Sequence, residues 1–506
     1  MPKVAIAASS NISAAAGARV AEQGGNAVDA ALAAAMVSMT TEPGVVSLAG
    51  GGFITIWADG SEPVTIDGNV AMPGRGRRDD ELGRGAREVT MGYGGGVSTL
   101  IGHGSVAIPG ALAACDMASQ RYGQVAWQAL VEPAFEHARN GFPLPQASWN
   151  YLEHAGECVY GWHADSRTAL FGDDDVLARP GDTIHVPHLA DSLRSISDHG
   201  ADTFYRGAIA EKIVADMDDN EGVLTAADLD EYEPLMRKPM RVALGKYDLA
   251  INPPPAVGGV TLAAMLTLMG SYPRQEWQAA DVARLAAVQH AVLSYRRQHL
   301  DLSDELDEEA RRLLQLCRDE DFAAIHAPST VHISAVDSHG LACSVTLSSG
   351  YGAGVMPPGT GIWLNNTLGE IELNRRGLIA GPPGMRLASN MAPTVARAED
   401  GALLAIGSPG ADRITTAMLQ TLINLMQVRM SLDEAVAYPR LHVEFPDAKA
   451  RIAAEPGLDL SACELPARQF DEQSMFFGGV AAALRRGNGE ILAAADSRRA
   501  GGSRVT

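Results

Sequence analysis

Apolar positions follow two rhythms along this chain. Residues 11–24 carry helical spacing, with Ser10 or Asn11 placed to cap the start and Gly24-Gly25 to end it. A second helix begins near Asn26, and its run from Ala27 to Met36 is apolar at nearly every position. A helix tolerates that only when neighbours cover it on most sides. After a turn at Glu42-Pro43-Gly44, the glycines Gly50, Gly51 and Gly52 lead into the β-type run Phe53–Trp57, with Ala58-Asp59-Gly60 as turn material. No strand-GxGxxG-helix unit follows, so these glycines read as close packing of backbone rather than as a phosphate loop. Residues 110–240 are predominantly helical, with stops at Gly141-Phe142-Pro143 and Arg179-Pro180-Gly181. Pro253-Pro254-Pro255 with Gly258-Gly259 fits neither helix nor central strand and predicts a fixed loop feeding a helix over 260–269. The acidic stretch 301–321 alternates with Arg311, Arg312 and Arg318 as a solvated helix face does.

The rhythm then changes to period two. Thr330–Val336 is a β-type run, Asp337-Ser338-His339-Gly340 is a turn, and Leu341–Leu347 is a second β-type run. The segment predicts a hairpin that carries Thr346 back toward Thr330.

Composition narrows the field. With 46% apolar and 20% charged residues the 506-residue chain can bury a large core. A formal charge of -21 speaks against nucleic acid or an anionic membrane as partner. The five cysteines are scattered and form no zinc or redox motif, which predicts reduced, structural thiols. The N-terminus has no basic leader followed by an apolar stretch, and nothing downstream reads as a bilayer span. Cytoplasmic residence is the expectation.

A Thr at the head of a strand is usually structural. The surrounding text changes that reading, because it resembles the γ-glutamyltransferase family over nearly the entire chain. Matching stretches run from Ser9-Ser10 through Gly24–Ala31, then Gly50–Phe53, Ser105–Gly110, Phe204–Gly207, Leu224–Leu229, Pro253-Pro254-Pro255 with Gly258-Gly259, Gly359–Asn366, Ser389–Thr394, Gly407–Gly410 and Ala494–Arg499. The family's small subunit opens with Thr-x-His-x-Ser-x-Val-Asp, as Thr330–Asp337 does.

The resemblance implies a four-layer αββα sandwich of the N-terminal nucleophile hydrolase type, α/β in class. It also implies self-cleavage between Ser329 and Thr330. Residues 1–329 would form a large subunit and 330–506 a small one, intertwined in one domain as a heterodimer; a further oligomer stays open. Thr330 is the implied nucleophile. A Thr hydroxyl needs a base within hydrogen-bond reach, and a freed α-amino group with a pKa of about 7.7–8.0 supplies one. Before the cut that nitrogen is an amide, so processing must precede activity. Thr346 aligns with a family threonine that bonds to the nucleophile, and Gly410-Ala411 with the backbone donors of the oxyanion site.

Recognition of substrate departs from the family. Where the family holds an α-carboxylate with an Arg, this chain has Asn69, and Arg75, Arg77 and Arg78 are the cations nearest in sequence. Ser348 stands at a family Asn, Thr367 at a Gln, Glu370 at an acid contacting the substrate amine, and Ser389-Asn390 at a Ser-Ser pair. The resemblance, with these departures, implies a self-processing hydrolase or acyltransferase for a small amino-acid-derived substrate with a remodelled carboxylate site, and no metal or organic cofactor is expected. Two alternatives remain open: hydrolytic carbon-carbon cleavage, as in alkylproline-type natural-product pathways, and a non-catalytic homologue.

Overall fold

Two sheets form the centre of the protein. The structure, a computed structural model, describes residues 2–92, 96–172, 174–270, 276–303, 305–319, 331–371, 374–446 and 449–506. Strands β1 (Val4–Ala8), β2 (Gly51–Trp57), β3 (Val64–Gly68) and β4 (Leu235–Arg237) are followed by β5 (Met240–Leu244) and β6 (Tyr247–Ile251). The hairpin supplies β7 (Val331–Asp337) and β8 (Ala342–Ser348). Then come β9 (Thr394–Ala398), β10 (Leu403–Gly407), β11 (Ala481–Arg485), β12 (Ile491–Ala495) and β13 (Gly502–Val505). The first sheet runs β13-β1-β7-β8-β2-β3-β4 and the second β12-β11-β10-β9-β6-β5. Every pairing within them is antiparallel.

Helices α1 (Asn11–Glu22), α2 (Ala27–Thr41) and α3 (Ala111–Tyr122) cover the outer side of the first sheet, and α4 (Trp127–Asn140) packs on α2. Ser10 caps α1, and Asn26 with Asp29 forms a capping box on α2. Every residue of α2 is buried, as its all-round apolar run requires. The second sheet is covered by α5 (Val257–Met269), α6 (Ala279–Tyr295), α7 (Leu306–Asp319) and α8 (Arg413–Ile423). The acidic helix α7 is amphipathic, with Leu313 and Cys317 turned into that core. Between the sheets lies a thin core of mostly small side chains, including Ala5, Ala250, Ala342, Ala405 and Ala483. Small residues let the sheets approach closely, and the layers are α, β, β, α as expected.

The five cysteines carry free thiols. No described helix is long and apolar enough to cross a membrane.

Candidate active site

The strand opening at Val331 is third in a seven-stranded sheet, so it is interior. Ser329 and Thr330, the expected cleavage site and nucleophile, lie outside the described residues. Pairing is in register, with Val331 opposite Leu347 and His332 opposite Thr346. The hairpin thus exists as expected, but Thr346 faces His332 rather than the position two residues before it.

Alternation along β7 sends Val331, Ile333 and Ala335 to the helix side and His332 and Ser334 to the second sheet. The His332 ring rests on Gly407: a Cβ there would fall 2.3 Å from His332 Cε1, so no larger residue fits. Nδ1 lies 2.8 Å from Thr346 Oγ1, and Nε2 lies 2.7 Å from Ser334 Oγ. Ser334 donates its hydroxyl proton to the Ala481 carbonyl at 3.0 Å. It can then only accept from His332, so Nε2 carries the ring proton and Nδ1 accepts from Thr346. Burial lowers the His332 pKa to about 3, which keeps the ring neutral. The Thr346 oxygen is therefore left with lone pairs to offer, an acceptor at the start of β7.

The glycine run seats this pair. A Cβ at Gly52 would fall 2.1 Å from the Thr346 carbonyl oxygen, and one at Gly50 would fall 2.6 Å from that of Ser348. Ser348 accepts from Gly350 N at 3.0 Å. Gly350 takes φ +68, and a Cβ on it would lie 2.8 Å from Glu370 Oε2. The buried Glu370 carboxylate therefore lies against the turn whose Gly350 N–H Ser348 accepts. Asn366 fixes it, accepting from Tyr351 N at 2.7 Å and, through its carbonyl, from Glu370 N at 3.2 Å. Thr367 sits half-buried on the same loop, its N–H donating to Asn365 Oδ1 at 3.1 Å.

Ser389 and Asn390 are held by the proline-glycine loop. Gly258 N donates to the Ser389 carbonyl at 3.1 Å, and a Cβ at Gly258 would fall 1.9 Å from the Asn390 carbonyl oxygen. Met391 packs on Phe53, which pairs with Thr346 in register, so this loop reaches the same end of the sandwich. Gly410 and Ala411 follow Ser408-Pro409 after the end of β10, at φ +123 and φ +68. Neither N–H donates to a described residue, whereas both carbonyls accept from the first turn of α8. The backbone N–H groups of these two adjacent residues thus keep open hydrogen-bonding capacity. Behind them, buried Arg296 pairs with Asp412 at 3.1 Å and Asp301 at 2.9 Å, anchoring the residue after Ala411.

Asn69 is not presented to a ligand. It is 2% exposed, and its Nδ2 donates to the Leu387 carbonyl at 2.7 Å. The nearby cations do not replace the missing Arg either. Arg75 pairs with Asp228 at 3.2 Å and Glu231 at 2.6 Å, Arg77 with Asp218 at 2.6 Å, and Arg78 with Asp80 at 3.1 Å. His332, Ser334 and Arg296 were not singled out by the sequence reading. The i, i+2, i+4 spacing of Thr330, His332 and Ser334 on one strand face was the available signal for two of them.

Two antiparallel sheets covered by helices on both outer sides, in this four-layer order, make the fold of the N-terminal nucleophile hydrolases. The cephalosporin acylase of Bacillus halodurans superposes over 100% of this chain and 96% of its own, at a TM-score of 0.80 and 22% identity. The chain belongs to the gamma-glutamyltranspeptidase family, whose sequence profile matches residues 13–506. A glutathione hydrolase proenzyme of Pseudomonas sp. strain A14 is 31% identical over 477 residues, 87% of this chain and 81% of that protein. An acylase ACY 1 proenzyme of Pseudomonas sp. strain SE83 is 28% identical over 461 residues, 86% of this chain and 81% of that one. The protein is an enzyme of this hydrolase and transferase family.

Proposed function

We propose that the protein cuts its own Ser329–Thr330 bond and then acts as a threonine hydrolase or acyltransferase on a small amine-bearing amide. The reading is supported by an interior strand that starts one residue after Thr330, with Thr346 opposite its second residue, in a chain of the gamma-glutamyltranspeptidase family. Cleavage at that bond would leave interleaved subunits: residues 1–329 contribute β1 to β6 and residues 330–506 contribute β7 to β13, with both sets present in each sheet. The names of the relatives, which are proenzymes, support such processing.

In this mechanism the freed Thr330 amine takes the proton of its own hydroxyl, and the oxygen attacks the substrate carbonyl. The developing oxyanion is met by the N–H groups of Gly410 and Ala411, worth about 3 kcal/mol per donor in comparable sites. The amine returns the proton to the leaving nitrogen, and water or a second amine opens the ester. Glu370 offers a buried carboxylate to a substrate ammonium. The carboxylate side has lost its family cation at Asn69, so recognition rests on the amine.

Three chromogenic anilides test this. A γ-glutamyl anilide has both groups, a 4-aminobutyryl anilide only the amine, and a glutaryl anilide only the carboxylate. Removing the carboxylate should lower kcat/KM less than about 10-fold, and removing the amine about 10- to 100-fold, the loss of a charge-assisted bond of about 1.5–3 kcal/mol. A glutaryl anilide turned over as well as the γ-glutamyl one would sink this assignment of the pocket.

A further inference from the structure

Four charged side chains of alternating sign join the loop that carries Glu370 to the loop that carries Gly410 and Ala411. The first loop folds back on itself. Asn374 N donates to the Glu370 carbonyl at 2.7 Å, and Asn374 Nδ2 donates to the Leu368 carbonyl at 3.0 Å. The next residue, Arg375, places Nε 3.6 Å from Asp301 Oδ2. Arg376 donates from Nη2 to the Leu302 carbonyl at 3.2 Å, so both arginines of the loop reach the same turn. Arg296 Nε donates to Asp301 Oδ1 at 2.9 Å, and Arg296 Nη1 donates to Asp412 Oδ1 at 3.1 Å. Asp412 is the residue bonded to Ala411.

The side chains of Arg296, Asp301 and Asp412 are at most 2% exposed, and that of Arg375 is 24% exposed. Charges withdrawn from water are screened little, so each member of such a row depends on the next. Asp301 Oδ2 has no hydrogen-bond partner, and it is this oxygen that Arg375 approaches. At the far end Ala411 holds φ +68, a left-handed conformation that is unfavourable for a residue with a Cβ unless its surroundings fix it. Arg296, by holding Asp412, is one of the groups that fix it.

We propose that Arg375, Asp301 and Arg296 are positioning residues. Through this row of charges the Glu370 loop sets the backbone of Gly410 and Ala411, so that a substrate amine held at Glu370 raises turnover as well as affinity. The inference rests on the roles of Glu370 and of the Gly410-Ala411 donors proposed above. An ammonium at Glu370 holds its loop in one conformation, Arg375 goes with the loop, and the row carries the restraint to Asp412. The three residues act through the backbone of Gly410 and Ala411 and not on the substrate.

Steady-state kinetics with two anilides that differ only in the amine, γ-glutamyl and glutaryl, test this in wild type, Arg375→Met and Arg375→Lys. Wild type should show a kcat about 10-fold higher with the γ-glutamyl anilide, besides a lower KM. In Arg375→Met the kcat advantage should shrink below about 3-fold while the KM advantage stays, because Glu370 still holds the amine. Arg375→Lys keeps the charge and should keep most of the kcat advantage. A merely structural role for Arg375 would lower kcat for both anilides alike, and an unchanged ratio of this kind overturns the bridge. A wild-type preference confined to KM overturns it too, since the amine then does not reach the donors. If wild type does not prefer the γ-glutamyl anilide at all, the Glu370 reading itself fails and takes the bridge with it; if the preference in kcat is present and survives Arg375→Met, only the bridge falls.

Discussion

His332 and Thr346 face each other across the β7–β8 hairpin, ring nitrogen to hydroxyl at 2.8 Å, in a contact wholly removed from solvent. Since Ser334 occupies the other ring nitrogen as an acceptor, Thr346 is the donor in this pair. Replacing it by Val strands a buried acceptor on His332, at a cost of about 1–3 kcal/mol. Thr346→Val should lose about that much stability in denaturant titration and show kcat lowered about 10- to 100-fold, while Thr346→Ser should keep most of both.

The same histidine sets a pH dependence. Its folded pKa of about 3 lies below the ordinary value of 6.5, so the unfolded chain binds the extra proton between those limits. Its contribution to stability is therefore complete above pH 6.5 and declines on acidification toward pH 3, by up to about 1.4 kcal/mol per pH unit. Comparing denaturant midpoints of wild type and His332→Gln across this range should show a shallower acid decline in the variant.

Gly410→Ala probes the backbone donors. The new Cβ would fall 2.6 Å from Gly478 Cα, backbone that cannot turn aside. The loop must move, and kcat should fall about 100-fold or more, as when an oxyanion donor is lost. Unchanged turnover in cleaved protein would remove Gly410 from the reaction.

Arg498 belongs to the terminal motif but supports structure. Its side chain is 0% exposed and joins Glu455 and Asp496, with its Nε 2.7 Å from Glu455 Oε1. Arg498→Met should cost about 3–5 kcal/mol by leaving buried carboxylates short of a cation. The unfolding midpoint reads this directly.

Much of this architecture was legible in sequence because the signals are local. The apolar run of α2 demanded burial on all sides, period-two text around Asp337-Gly340 gave the hairpin, and Pro253-Pro254-Pro255 with Gly258-Gly259 gave the loop that clamps Ser389-Asn390. What escaped depends on partners distant in the chain. Asn69 stood out as a missing cation, yet its hydrogen bond to Leu387, 318 residues away, shows it committed to backbone. Arg75 reads as an available cation until Asp228 and Glu231 close on it. Glu42 looked like turn material, since nothing local says that four serines and a cavity would surround its carboxyl. The two-residue detail of hairpin register, which puts Thr346 opposite His332, was likewise beyond residue counting.

The central claim is tested most directly by N-terminal sequencing and intact mass of the purified protein. Two fragments are expected, covering residues 1–329 and 330–506, the smaller beginning at Thr330, and Thr330→Ala should remain a single 506-residue chain without activity. A small fragment with any other first residue, or an uncut wild-type chain that still turns over substrate, contradicts the account.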